Sequence, residues 1–282
     1  MTIKVFHNQV VQLLQTIYPE YEGREMAYRL FDFYLHRSKV DIALDPNLNV
    51  ENQDFEQVEQ ALSRLLKKEP LQYVLGETEF YDLHLSVNSN VLIPRPETEE
   101  LVDLILQRHS GNVSLLDIGT GSGCIPIAIK KNNAMAQVSA CDISDLALEV
   151  AQQNAIRNDV SIAFFQCDIL DTENLPQGKY DVIVSNPPYV LNSEKALLRD
   201  NVLDYEPGLA LFVEDETPLL FYEAIADFGL QSLNDTGYLY FEINEGFGAE
   251  TKAMLEKKGY RQVEIHADIF AKQRMVSAIL AP

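Results

Sequence analysis

From residue 113 onward, short apolar runs alternate with helical patterns, and this alternation limits the fold more than any other feature of the chain. Strands are predicted at residues 113–118, 137–141, 161–166, 180–185, 237–243, 262–266 and 275–280. Helices are predicted at residues 125–131, 146–157, 218–233 and 249–258. Repeated strand–helix–strand units build a mostly parallel sheet with helices on both faces. The pattern therefore predicts an α/β, Rossmann-like domain with a seven-stranded sheet, whose ligands bind at the carboxyl ends of the strands.

The residues before this sheet have a different periodicity. Apolar residues recur at helical spacing in residues 6–17, 26–35 and 55–66, which predicts a helical domain of about four helices over residues 1–76. Leu83, Leu85 and Val87 then alternate with polar residues, and residues 91–93 follow a turn at 88–90, which predicts a β-hairpin linker over residues 77–95. The catalytic domain would span residues 96–282 and open with an amphipathic helix that reaches about His109.

A glycine-rich turn follows the first predicted strand and consists of Gly119, Thr120, Gly121, Ser122 and Gly123. Glycines there allow a tight turn and let a ligand approach the backbone. Dinucleotide sites use the spacing G-x-G-x-x-G to hold a pyrophosphate, whereas this turn is G-x-G-x-G and lacks the Gly-Lys-Ser/Thr of a phosphate loop. Asp117, just before the turn, would repel phosphate but attract an ammonium group. S-adenosylmethionine carries an ammonium and no phosphate, so it is the predicted cofactor, and the fold is predicted to be a class I S-adenosylmethionine-dependent methyltransferase fold.

Two further acids follow the next two predicted strands. Asp142 is placed to accept hydrogen bonds from the ribose hydroxyls, and Asp168 to accept one from the adenine amino group, with Ile169 packed on the ring. A single loop aspartate is more often a helix cap or a solvated acid. Three acids at three successive strand ends favour the cofactor interpretation for Asp117, Asp142 and Asp168.

The strand at residues 180–185 leads directly into Asn186, Pro187, Pro188 and Tyr189. The prolines fix the backbone and lack N–H groups, so their carbonyls remain free to accept hydrogen bonds, as does the Asn186 side-chain oxygen. Acceptors of this kind hold the two hydrogens of a planar NH₂ group and aim its nitrogen at a methyl donor. Tyr189 can pack against the plane of the substrate. An ordinary proline-rich turn is the alternative, and its position after a strand, downstream of the glycine turn, disfavours it.

Charge and cysteine content narrow the class of partner. The chain has 43 acidic and 22 basic residues and a net charge of −21, which argues against a surface that follows nucleic-acid phosphates. Cys124, Cys141 and Cys167 lie in apolar runs, which is typical of buried thiols in a reducing compartment. The first residues lack a signal-peptide core, no apolar stretch reaches membrane-spanning length, and the five histidines form no metal-ligand set. We therefore expect a cytoplasmic protein without a metal.

These motifs together make the chain resemble the HemK/PrmC-type release factor glutamine methyltransferases over nearly its whole length. The matching segments are residues 76–81, 91–99, 119–123, 186–189 and 205–207. The run Pro94-Arg95-Pro96-Glu97-Thr98-Glu99 is the most discriminating of them. The resemblance implies methylation of the side-chain amide nitrogen of the glutamine in the Gly-Gly-Gln motif of class I translation release factors.

The resemblance also implies roles for individual residues. Residues 119–123, Asp142, Ile169 and Asn186 would contact the cofactor, and residues 186–189 would contact the glutamine, with Asn186, Pro187 and Tyr189 taken as catalytic. Arg95 and Glu97 are expected at the mouth of the pocket, while a helix-start residue and a surface ion pair stay an equal alternative. We expect the helical domain to hold the release factor and the enzyme to be a monomer.

The chain departs from the family pattern at two places, and one rival function shares its chemistry. The family usually has glycines after its Glu-Pro-x-x-Ala-Leu segment, whereas this chain continues after Leu211 with Phe212, Val213, Glu214 and Asp215, and a glycine is expected at the position of Ala271. The rival is a nucleic-acid amino-methyltransferase acting on adenine or rRNA, because such enzymes share the four-residue motif. The acidic balance and the absence of a basic, aromatic-rich target domain disfavour it. A docking module that keeps the fold without catalysis is disfavoured by the intact glycine turn and Asn186.

Overall fold

The structure, a computed structural model, describes residues 1–280, and these residues fall into two units. The first unit contains residues 1–76 and 199–205, and the second contains residues 77–198 and 206–280. The hairpin thus belongs with the sheet, and a short later segment belongs with the helices. The predicted boundaries at residues 76 and 95 stay predictions.

The first unit is helical. Its helices are α1 (Ile3–Leu14), α2 (Glu20–Leu35), α3 (Lys39–Leu44), α4 (Asn52–Leu65) and α5 (Leu71–Leu75). Helices α1, α2 and α4 bury a common apolar core that includes Phe6, Phe31 and Leu65. The expectation of about four helices was wrong by one, because α3 and α5 have only 6 and 5 residues and are too short to show a period.

A further helix, α9 (Asp200–Tyr205), belongs to this unit although it lies far along the chain. The Tyr205 hydroxyl donates to the Lys67 carbonyl oxygen at 2.7 Å, and Lys68 Nζ pairs with an Asp200 carboxylate oxygen at 2.5 Å. Nothing in the periodicity of residues 200–205 indicates this association, since the segment has no buried residue.

The second unit contains the sheet and its helices. Its strands are β1 (Glu77–Phe80), β2 (Leu83–Ser86), β3 (Ser114–Ile118), β4 (Gln137–Asp142), β5 (Ala163–Gln166), β6 (Tyr180–Ser185), β7 (Val190–Leu191), β8 (Phe212–Val213), β9 (Leu233–Glu242), β10 (Tyr260–Ala267) and β11 (Gln273–Leu280). Its helices are α6 (Pro96–Arg108), α7 (Cys124–Asn132), α8 (Asp145–Arg157), α10 (Leu220–Ser232) and α11 (Gly248–Lys258). Seven strands form one sheet in the order β10-β11-β9-β6-β3-β4-β5, in which only β11 runs antiparallel to its neighbours. The predicted α/β fold with a mostly parallel seven-stranded sheet is confirmed.

Each face of the sheet is covered by its own layer of helices. Successive strand residues point to opposite faces, so Leu115 and Val182 lie in one apolar cluster while Leu116 and Ile183 lie in the other. The first cluster includes side chains of α6, α7 and α8, and the second includes side chains of α10 and α11. Burial on both faces explains why the strands are continuous apolar runs.

The order of the strands reverses between β3 and β6. From β3 the chain moves outward to β4 and β5, then returns to place β6 on the other side of β3. The helix after β3 is α7, in one layer, whereas the next long helix after β6 is α10, in the other. Connections that leave adjacent strands toward opposite faces open a crevice at the carboxyl ends of those strands. This reversal fixes where a ligand site can form.

The hairpin lies earlier in the chain than predicted. Strands β1 and β2 pair antiparallel around a turn at Tyr81 and Asp82, which both have left-handed backbones, with φ of 52° and 59°. Two such residues make the turn that matches the twist of a hairpin. Residues 91–93 do not form the second strand, because the Ile93 N–H donates to a Glu206 carboxylate oxygen at 3.2 Å. The tyrosine hides this turn from sequence analysis, since tyrosine rarely adopts a positive φ.

Ala271, where the sequence comparison with the family led us to expect glycine, lies in the turn between β10 and β11. Its φ is 61°, a left-handed backbone that glycine adopts without strain. One oxygen of Asp268 accepts hydrogen bonds from the N–H groups of Phe270 and Lys272, both at 2.9 Å. These bonds hold the turn closed, and so the alanine is accommodated.

Substitution of Gly229, a buried glycine inside α10, tests the packing of this helix layer. A Cβ atom at Gly229 would overlap the Tyr260 hydroxyl, which donates to the Ala226 carbonyl oxygen at 2.8 Å. Gly229→Ala should therefore lower the free energy of unfolding by about 1–3 kcal/mol, although alanine normally stabilises a helix. Denaturant titration measures the change. Adding Tyr260→Phe should restore part of the loss, and a Gly229→Ala variant more stable than the parent would contradict this account.

Candidate active site

A cavity of about 250 Å³ lies at the carboxyl ends of β3 and β6, where the strand order reverses. Its walls come from the turn after β3, the ends of β4 and β5, the turn after β6 and the segment that leads into α6. Among the predicted site residues, the cavity is lined by Gly119, Thr120, Gly121, Ser122, Asp142, Asp168, Ile169, Asn186, Pro187, Pro188 and Arg95. The structure thus brings together side chains from four strand ends.

The glycine turn leaves open space where side chains would otherwise stand. Gly119 and Gly121 have φ of 74° and 54°, and no heavy atom lies within 4 Å of the position that a Cβ would take at either residue. Gly123 has φ of 79°, and its Cβ would meet Ala151 of α8 at 3.1 Å, so it permits close packing instead. The first two glycines therefore leave room for a ligand against the backbone, and the third closes the helix layer.

Asn154 of α8 holds this turn in place, a role that its sequence position did not reveal. Its side chain is fully buried. Its Nδ2 donates to the carbonyl oxygens of Ser122 and Ser86, both at 2.9 Å, and its Oδ1 accepts from the Ser86 N–H at 2.6 Å. One amide thus ties the glycine turn to the hairpin strand β2.

Asp142 and Asp168 both line the cavity, and each also closes its own loop. Asp142 accepts from the Gly121 N–H at 2.8 Å through one oxygen and from the Ser144 N–H at 2.9 Å through the other. Burial raises the pKa of Asp142, and these backbone donors oppose that rise. Asp168 accepts from the Leu170 N–H at 2.9 Å. The alternative of a loop-capping acid therefore holds for both residues, alongside their place in the cavity wall.

Asp117 does not line the cavity, and its carboxylate is not accessible to an ammonium group bound there. Its predicted direct contact with such a group stays a prediction. Its side chain is 1% exposed. Burial raises the pKa of Asp117 to about 7, with a smaller contribution from the charge of Asp142, and a hydrogen bond from the Thr120 side chain opposes the rise. Strand alternation turns this side chain under the glycine turn, and there it can act on a bound cation only through its electric field.

The turn after β6 forms the wall opposite the glycine turn. Ser185 donates from its hydroxyl to the Ile118 carbonyl oxygen at 2.6 Å, which joins the ends of β6 and β3. Asn186, Pro187 and Pro188 line the cavity, whereas Tyr189 does not. The Tyr189 hydroxyl instead donates to a Glu242 carboxylate oxygen at 3.0 Å, so the predicted stacking of Tyr189 on a substrate stays a prediction.

Two residues beside Asn186 were not predicted. Thr98 of α6 lines the cavity and accepts from Asn186 Nδ2 at 3.4 Å through its Oγ1. The same hydroxyl donates to the carboxylate of Glu242, the last residue of β9, at 2.6 Å. Glu242 is 1% exposed, and burial raises its pKa. An acid that ends an apolar strand was a signal available in the sequence.

Arg95 and Glu206 join the two segments that carry the family resemblance. Arg95 Nη2 lies 2.7 Å from one Glu206 oxygen, and the Ile93 N–H donates to the other. The Glu206 carboxylate is almost completely buried, while Arg95 is partly exposed and lines the cavity. Glu97 is not among the lining residues, so its place at the mouth of the pocket stays a prediction. Its position in the first turn of α6 explains its acidic character.

Comparison with known proteins identifies the family of this chain. The family model described as the PrmC N-terminal domain matches residues 7–76, and the model described as the methyltransferase small domain matches residues 96–203. A release factor glutamine methyltransferase of Flavobacterium psychrophilum is 46% identical over 281 residues, which cover 98% of each chain. One of Bacteroides thetaiotaomicron is 43% identical over 267 residues, 95% of this chain and 96% of that one. The chain belongs to the release factor glutamine methyltransferase family.

Membership confirms the resemblance and makes the chain an S-adenosylmethionine-dependent methyltransferase. The fold is shared more widely, since the crystal structure of a methyltransferase from Pyrococcus furiosus covers 82% of this chain and 100% of its own with a TM-score of 0.55 at 16% identity. The cavity fits the cofactor, because Gly119 and Gly121 leave backbone free and a carboxylate and apolar side chains share one wall. Within residues 1–280, no helix is long and apolar enough to cross a membrane.

Proton release on cofactor binding tests the electrostatic role of Asp117. The pKa of Asp117 is 3.8 ordinarily and about 7 in the folded protein. Between these two pH values Asp117 is protonated in the folded chain and ionised in the unfolded chain. Its contribution to stability therefore weakens as pH rises through this window. A cation in the cavity favours the ionised carboxylate, and cofactor binding at about pH 6.5 should therefore release protons.

Calorimetry in two buffers of different ionisation enthalpy measures that release. The apparent binding enthalpy should differ between the buffers for the parent enzyme and differ less for Asp117→Asn, which has no proton to lose. Asp142 stays in both proteins and acts as the internal control. Equal buffer dependence in the two proteins would remove Asp117 from this role.

Proposed function

We propose that this methyltransferase transfers a methyl group from S-adenosylmethionine to the side-chain amide nitrogen of a glutamine in a class I translation release factor, within the Gly-Gly-Gln motif. The observation that carries the proposal is the position of Asn186, Pro187 and Pro188 in the cavity wall, opposite the open backbone of the glycine turn. Both curated relatives described above are named as release factor glutamine methyltransferases, which supports the same substrate.

An amide nitrogen needs help of a particular kind. Its lone pair is delocalised into the carbonyl, so the nitrogen is a weak nucleophile, and its two N–H bonds must be held in place. A side-chain oxygen at Asn186 and proline carbonyls can accept both hydrogens, which orients the nitrogen and stabilises positive charge that develops on it. The cofactor, when bound, would supply the methyl group of its sulfonium. In the net exchange the S–CH₃ bond breaks and its electron pair stays on sulfur as the thioether S-adenosylhomocysteine, an N–CH₃ bond forms, and one amide proton is released.

The remaining predicted contacts belong to the same proposal. Residues 119–122, Asp142, Asp168 and Ile169 would hold the cofactor, with Asp117 acting through its field and Gly123, which does not line the cavity, packing the turn against α8. Arg95, at the cavity wall, would contact the substrate while Glu206 holds its guanidinium. The buried carboxylate makes this pair sensitive to loss of either partner.

The partner, assembly state and compartment are also proposed. The helical unit would hold the release factor. The PrmC N-terminal domain model, which matches residues 7–76, covers most of that unit. We propose a monomer that acts in the cytoplasm, where translation terminates, and the three buried cysteines without disulfides fit a reducing compartment. A net charge of −21 supports a protein partner over direct binding to nucleic acid.

Labelled cofactor distinguishes the proposed substrate from its rivals. The enzyme is incubated with methyl-labelled S-adenosylmethionine and with a class I release factor, the same factor carrying alanine for the Gly-Gly-Gln glutamine, or bulk RNA and DNA. Label should appear on the unaltered factor alone, because only that substrate offers the amide. Label on nucleic acid would favour the amino-methyltransferase rival, and no label on any substrate would favour a docking module.

Removal of the Asn186 side chain separates chemistry from cofactor binding. Asn186→Ala should lower kcat by about 100-fold or more, by analogy with the loss of one stabilising group in a preorganised site. The dissociation constant for S-adenosylmethionine should change little, because the glycine turn and Asp142 remain. Steady-state kinetics and calorimetry give the two quantities. A near-normal kcat in Asn186→Ala would exclude a catalytic role for this side chain.

A further inference from the structure

A chain of hydrogen bonds runs from the buried end of β9 to the cavity wall. It joins Glu242 Oε2 to Thr98 Oγ1 at 2.6 Å and Thr98 Oγ1 to Asn186 Nδ2 at 3.4 Å. The other Glu242 oxygen accepts from the Tyr189 hydroxyl at 3.0 Å. Glu242 and Thr98 are 1% and 2% exposed, so water does not compete for these bonds. One carboxylate is therefore linked to both ends of the turn formed by residues 186–189, directly to Tyr189 and through Thr98 to Asn186.

The carboxylate sets the direction of every bond in this chain. An ionised carboxylate only accepts hydrogen bonds, so the hydroxyls of Thr98 and Tyr189 must both donate to Glu242. The Thr98 hydroxyl has then used its only hydrogen, and toward Asn186 it can only accept. Asn186 must therefore present its nitrogen to Thr98, which leaves its Oδ1 available as an acceptor in the cavity wall. The orientation of an asparagine amide is decided by such a network.

The charged form of Glu242 has support within the site. Burial raises the pKa of Glu242 and the charge of Glu97 adds to the rise, while the two hydroxyl donors and the positive charge of Arg274 lower it. The Tyr222 hydroxyl is close as well, but it donates to the Glu242 backbone carbonyl at 3.2 Å and not to the carboxylate. Tyr222 therefore takes no part in the series of hydrogen bonds from Glu242 through Thr98 to Asn186.

We propose that Thr98 and Glu242 are positioning residues that fix the Asn186 amide with its oxygen toward the substrate, so that it accepts an N–H of the amide to be methylated. The inference rests on the proposed function, because the substrate amide of that function supplies the N–H that Asn186 Oδ1 accepts. We call the hydrogen-bonded series Glu242–Thr98–Asn186 the relay. A packing role for Thr98 would depend on the shape of its side chain, whereas the relay depends on its hydroxyl.

Three threonine variants separate these two roles. Thr98→Val keeps the shape and removes the hydroxyl, and it should lower kcat/KM for the release factor by about 10- to 100-fold, the usual loss when a group that orients a site residue is removed. The dissociation constant for S-adenosylmethionine should stay within about twofold, because the cofactor wall is intact. Thr98→Ser should recover most of the activity because it restores the hydroxyl.

Thr251→Val is the matched control. Thr251 is also a fully buried threonine, in α11, and its hydroxyl has no hydrogen-bond partner in the described part of the chain. This variant should methylate at the parent rate. Two outcomes would overturn the inference: full activity in Thr98→Val, or equal impairment in Thr98→Val and Thr98→Ser.

Glu242→Gln tests the source of the direction. A glutamine amide accepts at one atom and donates at the other, so it lets the Thr98 hydroxyl turn and donate to Asn186, and the Asn186 amide can then flip. The rate should fall, and combining Glu242→Gln with Thr98→Val should cost no more than the larger single effect. Tyr222→Phe, which removes a neighbouring hydroxyl outside the relay, should leave the rate close to that of the parent. Additive losses in the double variant would contradict a shared pathway.

A measurement that needs no turnover keeps this inference separate from the proposed function. In ¹⁵N-labelled protein, the Asn186 side-chain NH₂ protons should show a nuclear Overhauser effect to the Thr98 methyl group, and Glu242→Gln should weaken it. A parent enzyme that methylates no release factor would refute the proposed function and leave this test intact. An active parent enzyme without that effect would refute the amide orientation alone.

Discussion

The reversal of strand order between β3 and β6 is the constraint on which the site depends. Connections from these two strands leave toward opposite faces of the sheet, so their carboxyl ends are adjacent and uncovered. The glycine turn follows β3 and the Asn186 turn follows β6. A hydrogen bond from Ser185 to Ile118 holds the two ends together. The topology of the sheet therefore places the glycine turn, proposed to hold the methyl donor, next to the Asn186 turn, proposed to hold the methyl acceptor. The side chains then determine the detailed geometry.

Buried carboxylates do much of that refinement, and each has a different environment. Glu206 is paired with Arg95, Glu242 receives two hydroxyl donors, and Asp117 is fully buried beside the Thr120 hydroxyl, without a cationic partner within the described residues. An isolated buried charge is costly, so an unpaired acid takes up a proton while a well-partnered one can stay ionised. This difference fits the separate roles proposed for the three acids: Glu206 would clamp Arg95 on the cavity wall, Glu242 would set the direction of hydrogen bonds, and Asp117 would act on the cofactor through a proton-dependent field.

Local signals in the sequence were sufficient for the fold and for the cavity residues that directly follow strands. The strand–helix alternation gave all seven strands of the main sheet, and the glycine turn and Asn186 could be placed because each directly follows a strand. The relay could not be predicted, since Thr98 and Glu242 are 144 residues apart and meet only through tertiary packing. The hairpin was misplaced for a local reason, because Tyr81 adopts a positive φ that its residue type disfavours.

The orientation of the Asn186 amide also determines which substrate side chains the cavity can discriminate. With Asn186 Oδ1 facing inward and two prolines that carry no N–H beside it, this wall offers acceptors and no donor from those residues. Glutamine can satisfy such a wall with two N–H groups. Glutamate has the same shape but would set its lone pairs and negative charge against those oxygens and close to the buried Glu242. Sites that require a donor reject an analogue lacking it by about 10⁴-fold or more. A carboxylate that acts through two side chains, Thr98 and Asn186, would thereby separate an amide from its hydrolysed form.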